Sequence, residues 1–115
     1  MGNTGRSVKA LSPEAEEALR KLGNQLKEAR TKRRMTQEEL ATRASISAPT
    51  LMKLERGAAT VGLGALAQVL DVLGLAGDIA RVADPDTDTL GKRLQSRSAP
   101  KRVRSVAPSD DELDF

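Results

Sequence analysis

Residues 35–57 read MTQEELATRASISAPTLMKLERG and contain the start and stop signals of two short helices. Thr36, followed three residues later by Glu39, is a capping box, so a helix is expected to begin here and to run for about two turns. Ser47 is a good N-cap for the next helix, and Gly57 is suited to end that helix in a left-handed conformation. The stretch therefore predicts two short helices joined by a tight turn.

The flanking segments predict three more helices. Ser12 and Pro13 suit the start of a long first helix that ends near Arg33 or Arg34. A fourth helix is expected to begin at Thr60 or Gly62 and to end at Gly74, and a short fifth helix is expected over residues 75–82. The apolar residues that the fourth helix is predicted to turn inward are Leu63, Leu66, Ala67, Leu70 and Leu73. With no strand pattern and only one aromatic residue, the expected fold class is all-α.

The polar ends of the chain are expected to lie outside this core. Residues 1–11 lack an apolar period and are predicted to be a disordered arm, so that residues 12–83 form the folded domain. Residues 84–115 are predicted to be a linker and a mostly disordered tail, in which residues 90–94 provide at most one weak apolar turn.

Composition excludes several classes of function. The chain has no cysteine and no histidine, so disulfides, thiolate or imidazole metal sites and histidine-dependent catalysis are ruled out. We therefore expect that the protein is not an enzyme and that it binds no metal ion and no cofactor. Gly62-x-Gly64-x-x-Ala67 fits a dinucleotide-binding fingerprint, but that motif requires a preceding strand, and here a capped helix precedes it. Without an apolar leader or a run of about 20 apolar residues, a cytoplasmic protein without membrane contact is expected.

The distribution of charge is more informative than the net charge of +3 from 19 basic and 16 acidic residues. Residues 27–35 carry five basic residues against one acidic residue, and residues 92–106 carry six basic residues and no acidic one. The last nine residues reverse the sign, with four acidic residues and no basic one. Nucleic acid is the partner that the basic segments indicate.

Two short helices joined by such a turn match the helix-turn-helix unit. In this unit the first helix crosses the phosphate backbone of DNA with its N-terminus toward a phosphate, and the second helix lies in the major groove. The outward face of the helix after Ser47 is therefore expected to meet base edges.

Residues 35–41, Ala44-Ser45-Ile46-Ser47, Thr50-Leu51 and residues 54–57 together resemble the Cro and phage-repressor (XRE) family, and the resemblance extends over roughly residues 22–75. It implies a five-helix, lambda-repressor-like DNA-binding domain that acts as a transcriptional repressor. Many relatives have glycine where Ser45 stands, so Ser45 is expected in a left-handed conformation at some cost.

Site residues follow from the resemblance by position. It implies a partly buried structural ion pair between Arg30 and Glu55. Lys53 would read guanine, whereas Ala48 and Pro49 would contact thymine methyl groups or merely favour the start of the helix. The base-facing residues would be Ser47, Ala48, Pro49, Met52 and Lys53. The phosphate contacts would be Thr36, Gln37, Arg43, Thr50 and Arg56.

The predicted fourth and fifth helices hold more apolar residues than a small monomer should need, which indicates a homodimer that binds an operator with an inverted repeat. The alternative is that these residues fill the core of one chain. The residues expected at the dimer interface are Leu70, Leu73, Leu75, Ile79 and Val82.

Residues 73–94 resemble the HipB-like antitoxins, whose partners are HipA-type kinase toxins. This resemblance implies an antitoxin that represses its own operon, and the alternative is a stand-alone or phage-type regulator without a toxin. Leu113 and Phe115, flanked by acidic residues, are shaped like an anchor for a partner protein. A solvated acidic end without a target is the other interpretation of this segment.

Overall fold

The computed structural model describes residues 11–97, which contain five α-helices, one 3-10 helix and no strand. The all-α prediction is confirmed. The chain divides into two compact units, of which the first ends at Ile79 and the second begins at Ala80. In chain order the helices are α1 (Pro13–Lys32), α2 (Gln37–Arg43), α3 (Ala48–Glu55), α4 (Leu63–Leu73), the 3-10 helix (Ala76–Arg81) and α5 (Thr89–Arg97).

The first three helices begin at the predicted caps. The Ser12 hydroxyl accepts a hydrogen bond from the Ala15 backbone N–H at 3.1 Å. At α2 both halves of the capping box form: the Thr36 hydroxyl accepts from the Glu39 N–H at 3.0 Å, and the Glu39 carboxylate accepts from the Thr36 N–H at 2.9 Å. Ser47 caps α3. Because these contacts are local, adjacent residues suffice to specify them.

The first four helices end in the same way, at a residue in the left-handed region of backbone conformation. Glycine occupies two of these positions, Gly57 and Gly74, with φ values of 80° and 81°. The other two are Arg34 at 58° and Ser45 at 59°, where a side chain makes the conformation unfavourable. The prediction for Ser45 is confirmed, whereas the conformation of Arg34 was not anticipated.

The core of the first unit lies between α1, α2, α3 and α4. Burying a leucine or valine side chain contributes roughly 1.5–3 kcal/mol, so these contacts are the main source of stability. Leu63 was predicted to face inward but is 73% exposed, because it starts α4 one turn before the helix reaches the core; Val69 is buried instead. The buried apolar residues are Leu26, Leu40, Ala41, Ala44, Leu51, Leu54, Val69, Leu70 and Leu73.

Two of the residues expected at a dimer interface belong to this core. Leu70 and Leu73 are only 8% and 3% exposed within the single chain, so that part of the expectation is corrected. A small unit has little interior, and without aromatic residues it needs these leucines to build one. Leu75 and Ile79 are half-buried against the same core, and Val82, in the second unit, is 83% exposed.

The described segment after α4 contains more helix than predicted. The expected fifth helix is a 3-10 helix, and α5 occupies the segment in which at most one weak turn was expected. Residues 95–97, predicted to be disordered, form the last turn of α5. The missed signal is Asp88, whose carboxylate accepts a hydrogen bond from the Gly91 N–H at 2.9 Å. Most of the predicted arm and tail, with Leu113 and Phe115, lie outside the described residues.

Candidate nucleic-acid interface

The solvent-facing side of α3 carries Pro49, Met52 and Lys53. Their spacing of three and four residues places them in one stripe along the helix. Met52, a large apolar residue, is 40% exposed. These three side chains are available to a ligand that approaches α3 from solvent.

The other two residues predicted to face bases are placed differently. Ser47 is exposed, but its hydroxyl accepts a hydrogen bond from the Thr50 N–H at 3.2 Å and lies 2.9 Å from the Thr50 hydroxyl. Ala48 is half-buried and packs against the core. Its position agrees with the interpretation of Ala48 as a residue that favours the start of α3.

A buried polar network joins the end of α1 to α2 and α3. Arg30 donates to both carboxylate oxygens of Glu55, from Nε at 2.8 Å and from Nη2 at 3.1 Å. It also donates to the Met35 carbonyl at 2.9 Å. Arg30 and Glu55 are 8% and 7% exposed, so each charge depends on the other for compensation.

Gln37 also joins this network. Its side-chain amide donates to Glu55 at 2.9 Å, which ties the N-terminus of α2 to the C-terminal end of α3. Because a glutamine amide has two hydrogens, one remains for an external acceptor. The network therefore holds the start of α2 in a fixed position beside the exposed stripe of α3.

The remaining residues predicted to contact phosphate are spread over α2 and α3. Thr36 is exposed at the start of α2, and its hydroxyl is used in the capping box. Arg43 is exposed at the other end of α2, and its Nη1 lies 3.5 Å from the Met35 sulfur. Thr50 is half-buried, and Arg56 is exposed at the end of α3.

Sequence reasoning missed the contribution of α1. Arg20, Asn24 and Lys27 line a cleft of about 420 Å³ together with residues of α2 and α3, including Arg56. The spacing of four and three residues along α1 was the available signal. The other missed contact is that of Gln68 in α4, whose side-chain amide donates to the Ala44 carbonyl at the end of α2.

Within residues 11–97, most of the basic residues in the cleft and on the exposed stripe of α3 are in no ion pair. Among the described residues, Lys27, Lys53 and Arg56 are in no ion pair. Arg20 is the exception, because the Glu17 carboxylate accepts from its guanidinium at 2.8 Å and raises the pKa of Arg20 through this hydrogen bond and through its charge. The cleft and the exposed stripe of α3 therefore carry a net positive charge.

Comparison with known families identifies this arrangement. Residues 21–83 match the family described as helix-turn-helix domain, which is more than half of the chain. The chain belongs to the helix-turn-helix domain family. No curated protein and no solved structure matches it.

The helix-turn-helix unit consists of α2, the turn at residues 44–47 and α3, so the exposed stripe of α3 lies on the second helix of the unit. The protein is a DNA-binding helix-turn-helix protein. Within residues 11–97, no helix combines the length and hydropathy that crossing a membrane requires. Over the same range, no cluster of acidic side chains is suited to hold a metal ion.

Proposed function

We propose that this helix-turn-helix protein is a sequence-specific transcriptional repressor that places α3 in the major groove of its operator. The observation that carries the proposal is the exposed stripe of Pro49, Met52 and Lys53 beside the capped N-terminus of α2. A helix presented in this way fits the major groove, and the start of α2 then faces a phosphate.

The chemistry of the stripe suggests how sequence is read. Lys53 is suited to the O6 and N7 acceptors of guanine, whereas Pro49 and Met52 are suited to thymine methyl groups. Because the stripe carries so few polar groups, we expect part of the sequence specificity to come from the shape and deformability of the DNA. We assign the phosphate contacts to Thr36, Gln37, Arg43, Thr50 and Arg56.

Selection of binding sites from random duplex DNA tests this proposal. We expect one enriched sequence with an inverted repeat and half-sites about one helical turn, ~34 Å, apart. A purified, folded protein that enriches no sequence, and that binds the selected pool no better than the random pool, would refute sequence-specific binding.

The inverted repeat follows from a second part of the proposal, that the protein binds as a homodimer. With Leu70 and Leu73 in the core, the candidate interface residues are Leu75, Ile79 and Val82. Val82→Asp is the suitable variant because Val82 is exposed and its replacement removes no core contact. We expect weaker self-association and weaker operator binding. A wild-type protein that stays monomeric in analytical ultracentrifugation at tens of micromolar would contradict the dimer.

The second candidate function is that of an antitoxin paired with a HipA-type kinase toxin, acting in the cytoplasm. Its support is the HipB-like resemblance of residues 73–94, together with the exposed Leu90 and Leu94 at a spacing of four residues on α5. Such a pair of leucines is suited to contact a partner protein.

Copurification of the untagged product of the neighbouring gene with this chain tests the antitoxin function, and deletion of residues 110–115 tests the proposed anchor of Leu113 and Phe115. Loss of the partner on deletion, with operator binding retained, would support the anchor. A stand-alone or phage-type regulator is the conclusion if no partner copurifies.

A further inference from the structure

The cleft between α1 and the helix-turn-helix unit gathers cations from separate elements. Arg20 and Lys27 lie on one side of α1, and Arg56 lies at the end of α3. Asn24, also on α1, adds an amide donor to the same wall. The cleft also borders Met52, so it is continuous with the exposed stripe of α3.

Close packing of the backbones brings these cations together. Gly23 lies in α1 where a side chain would collide with the end of α3: a Cβ atom at this position would be 2.8 Å from the Glu55 carbonyl carbon and 2.9 Å from the Gly57 nitrogen. A Cβ on Gly57 would in turn be 2.8 Å from the Cα of Arg20. The two glycines thus allow α1 and the end of α3 to pack backbone against backbone.

The Glu55 carboxylate in the cleft wall does not offset the charges of Lys27 and Arg56. Glu55 is buried, is paired with Arg30 through two hydrogen bonds and accepts a third from Gln37. Lys27 and Arg56 have no acidic partner among the described residues. The wall therefore offers uncompensated positive charge and amide donors, the combination that binds a phosphate group.

We infer that this cleft is a phosphate-binding site in which Lys27 of α1 is the principal cation. The inference rests on the proposed function, since the phosphate would be the one next to the stretch of groove that α3 occupies. It extends the DNA interface beyond the helix-turn-helix unit to α1. A free phosphate ion or a phosphorylated small molecule has the same chemistry, and the experiment separates these sources.

The first measurement is the salt dependence of binding to a short random-sequence duplex by fluorescence anisotropy. Each phosphate contact contributes about 0.9 to the slope of log K against log salt. Lys27→Gln is expected to lower the slope by about that amount and to weaken binding roughly eightfold at 0.1 M salt. The matched control is Lys21→Gln, which makes the same charge change on the exposed surface of α1 outside the cleft.

The second measurement is the titration of inorganic phosphate into the DNA-free protein, up to about 10 mM, by calorimetry or chemical shift. Binding that is lost in Lys27→Gln and kept in Lys21→Gln would support a site for free phosphate. A slope change confined to Lys27→Gln, without binding of free phosphate, would support the DNA backbone as the source.

Equal effects of the two substitutions on the slope, with no binding of free phosphate, would overturn the inference while leaving DNA binding intact. Failure of the wild-type protein to bind any duplex would instead refute the proposed function, and the phosphate titration would still test the cleft. Circular dichroism of both variants verifies that they are folded.

Discussion

Replacing Gly23 by alanine adds one methyl group at the point where α1 meets the end of α3. The new Cβ would lie 2.8 Å from the Glu55 carbonyl carbon and 2.9 Å from the Gly57 nitrogen. Favourable contacts between such atoms occur at about 3.5–4.0 Å. Because the atoms on the α3 side belong to the backbone, no rotamer change relieves the clash, and α1 must move away from α3.

The magnitude follows from two opposing effects. Overpacking an interior contact costs about 1–3 kcal/mol, and a clash with backbone atoms lies at the upper end of that range. The higher helix propensity of alanine offsets about 1 kcal/mol of this cost. The net expectation is a decrease of about 2 kcal/mol in the free energy of unfolding.

Gly64→Ala is the matched control, since Gly64 lies in α4 and a Cβ there would meet nothing within 4 Å. This variant keeps the gain in propensity without the clash, so its free energy of unfolding is expected to rise by about 0.5–1 kcal/mol. Urea unfolding followed by far-UV circular dichroism measures both variants, with unchanged slopes expected. If Gly23→Ala is as stable as Gly64→Ala, the backbone packing inferred between α1 and α3 is wrong.

Three further variants test the network, the turn and the exposed stripe. Glu55→Gln leaves Arg30 buried without a counter-charge and should lower the free energy of unfolding by about 3 kcal/mol, whereas Glu28→Gln, in an exposed pair, should change it by less than about 0.5 kcal/mol in the same urea assay. Ser45→Gly should raise it by about 1 kcal/mol, because glycine adopts the observed φ of 59° without strain; a lower urea midpoint would contradict this. Lys53→Ala should weaken specific binding by about 1–3 kcal/mol and leave the thermal midpoint unchanged. An equal loss on random DNA would make Lys53 a phosphate contact.

The ends of the helices were predictable because their determinants are local. The Thr36 capping box and the caps at Ser12 and Ser47 need only residues within one turn, and all of them form as predicted. Glycine at position 57, and the strain expected at Ser45, depend on the backbone conformation of a single residue. The helix-turn-helix unit was therefore evident from residues 35–57, because both of its helices carry their own boundaries.

Burial and the cleft depend on which elements meet, and no local pattern encodes that. Leu70 and Leu73 had the same helical spacing whether they faced a second chain or their own core, and only the packing of α4 on the other helices decided between the two. In the sequence, Gly23 is only a glycine within a predicted helix, and its close packing against the end of α3 is evident only from the tertiary structure. Gln37 had a local role at the start of α2, but its bond to Glu55 joins residues that are distant in the chain and adjacent in the fold.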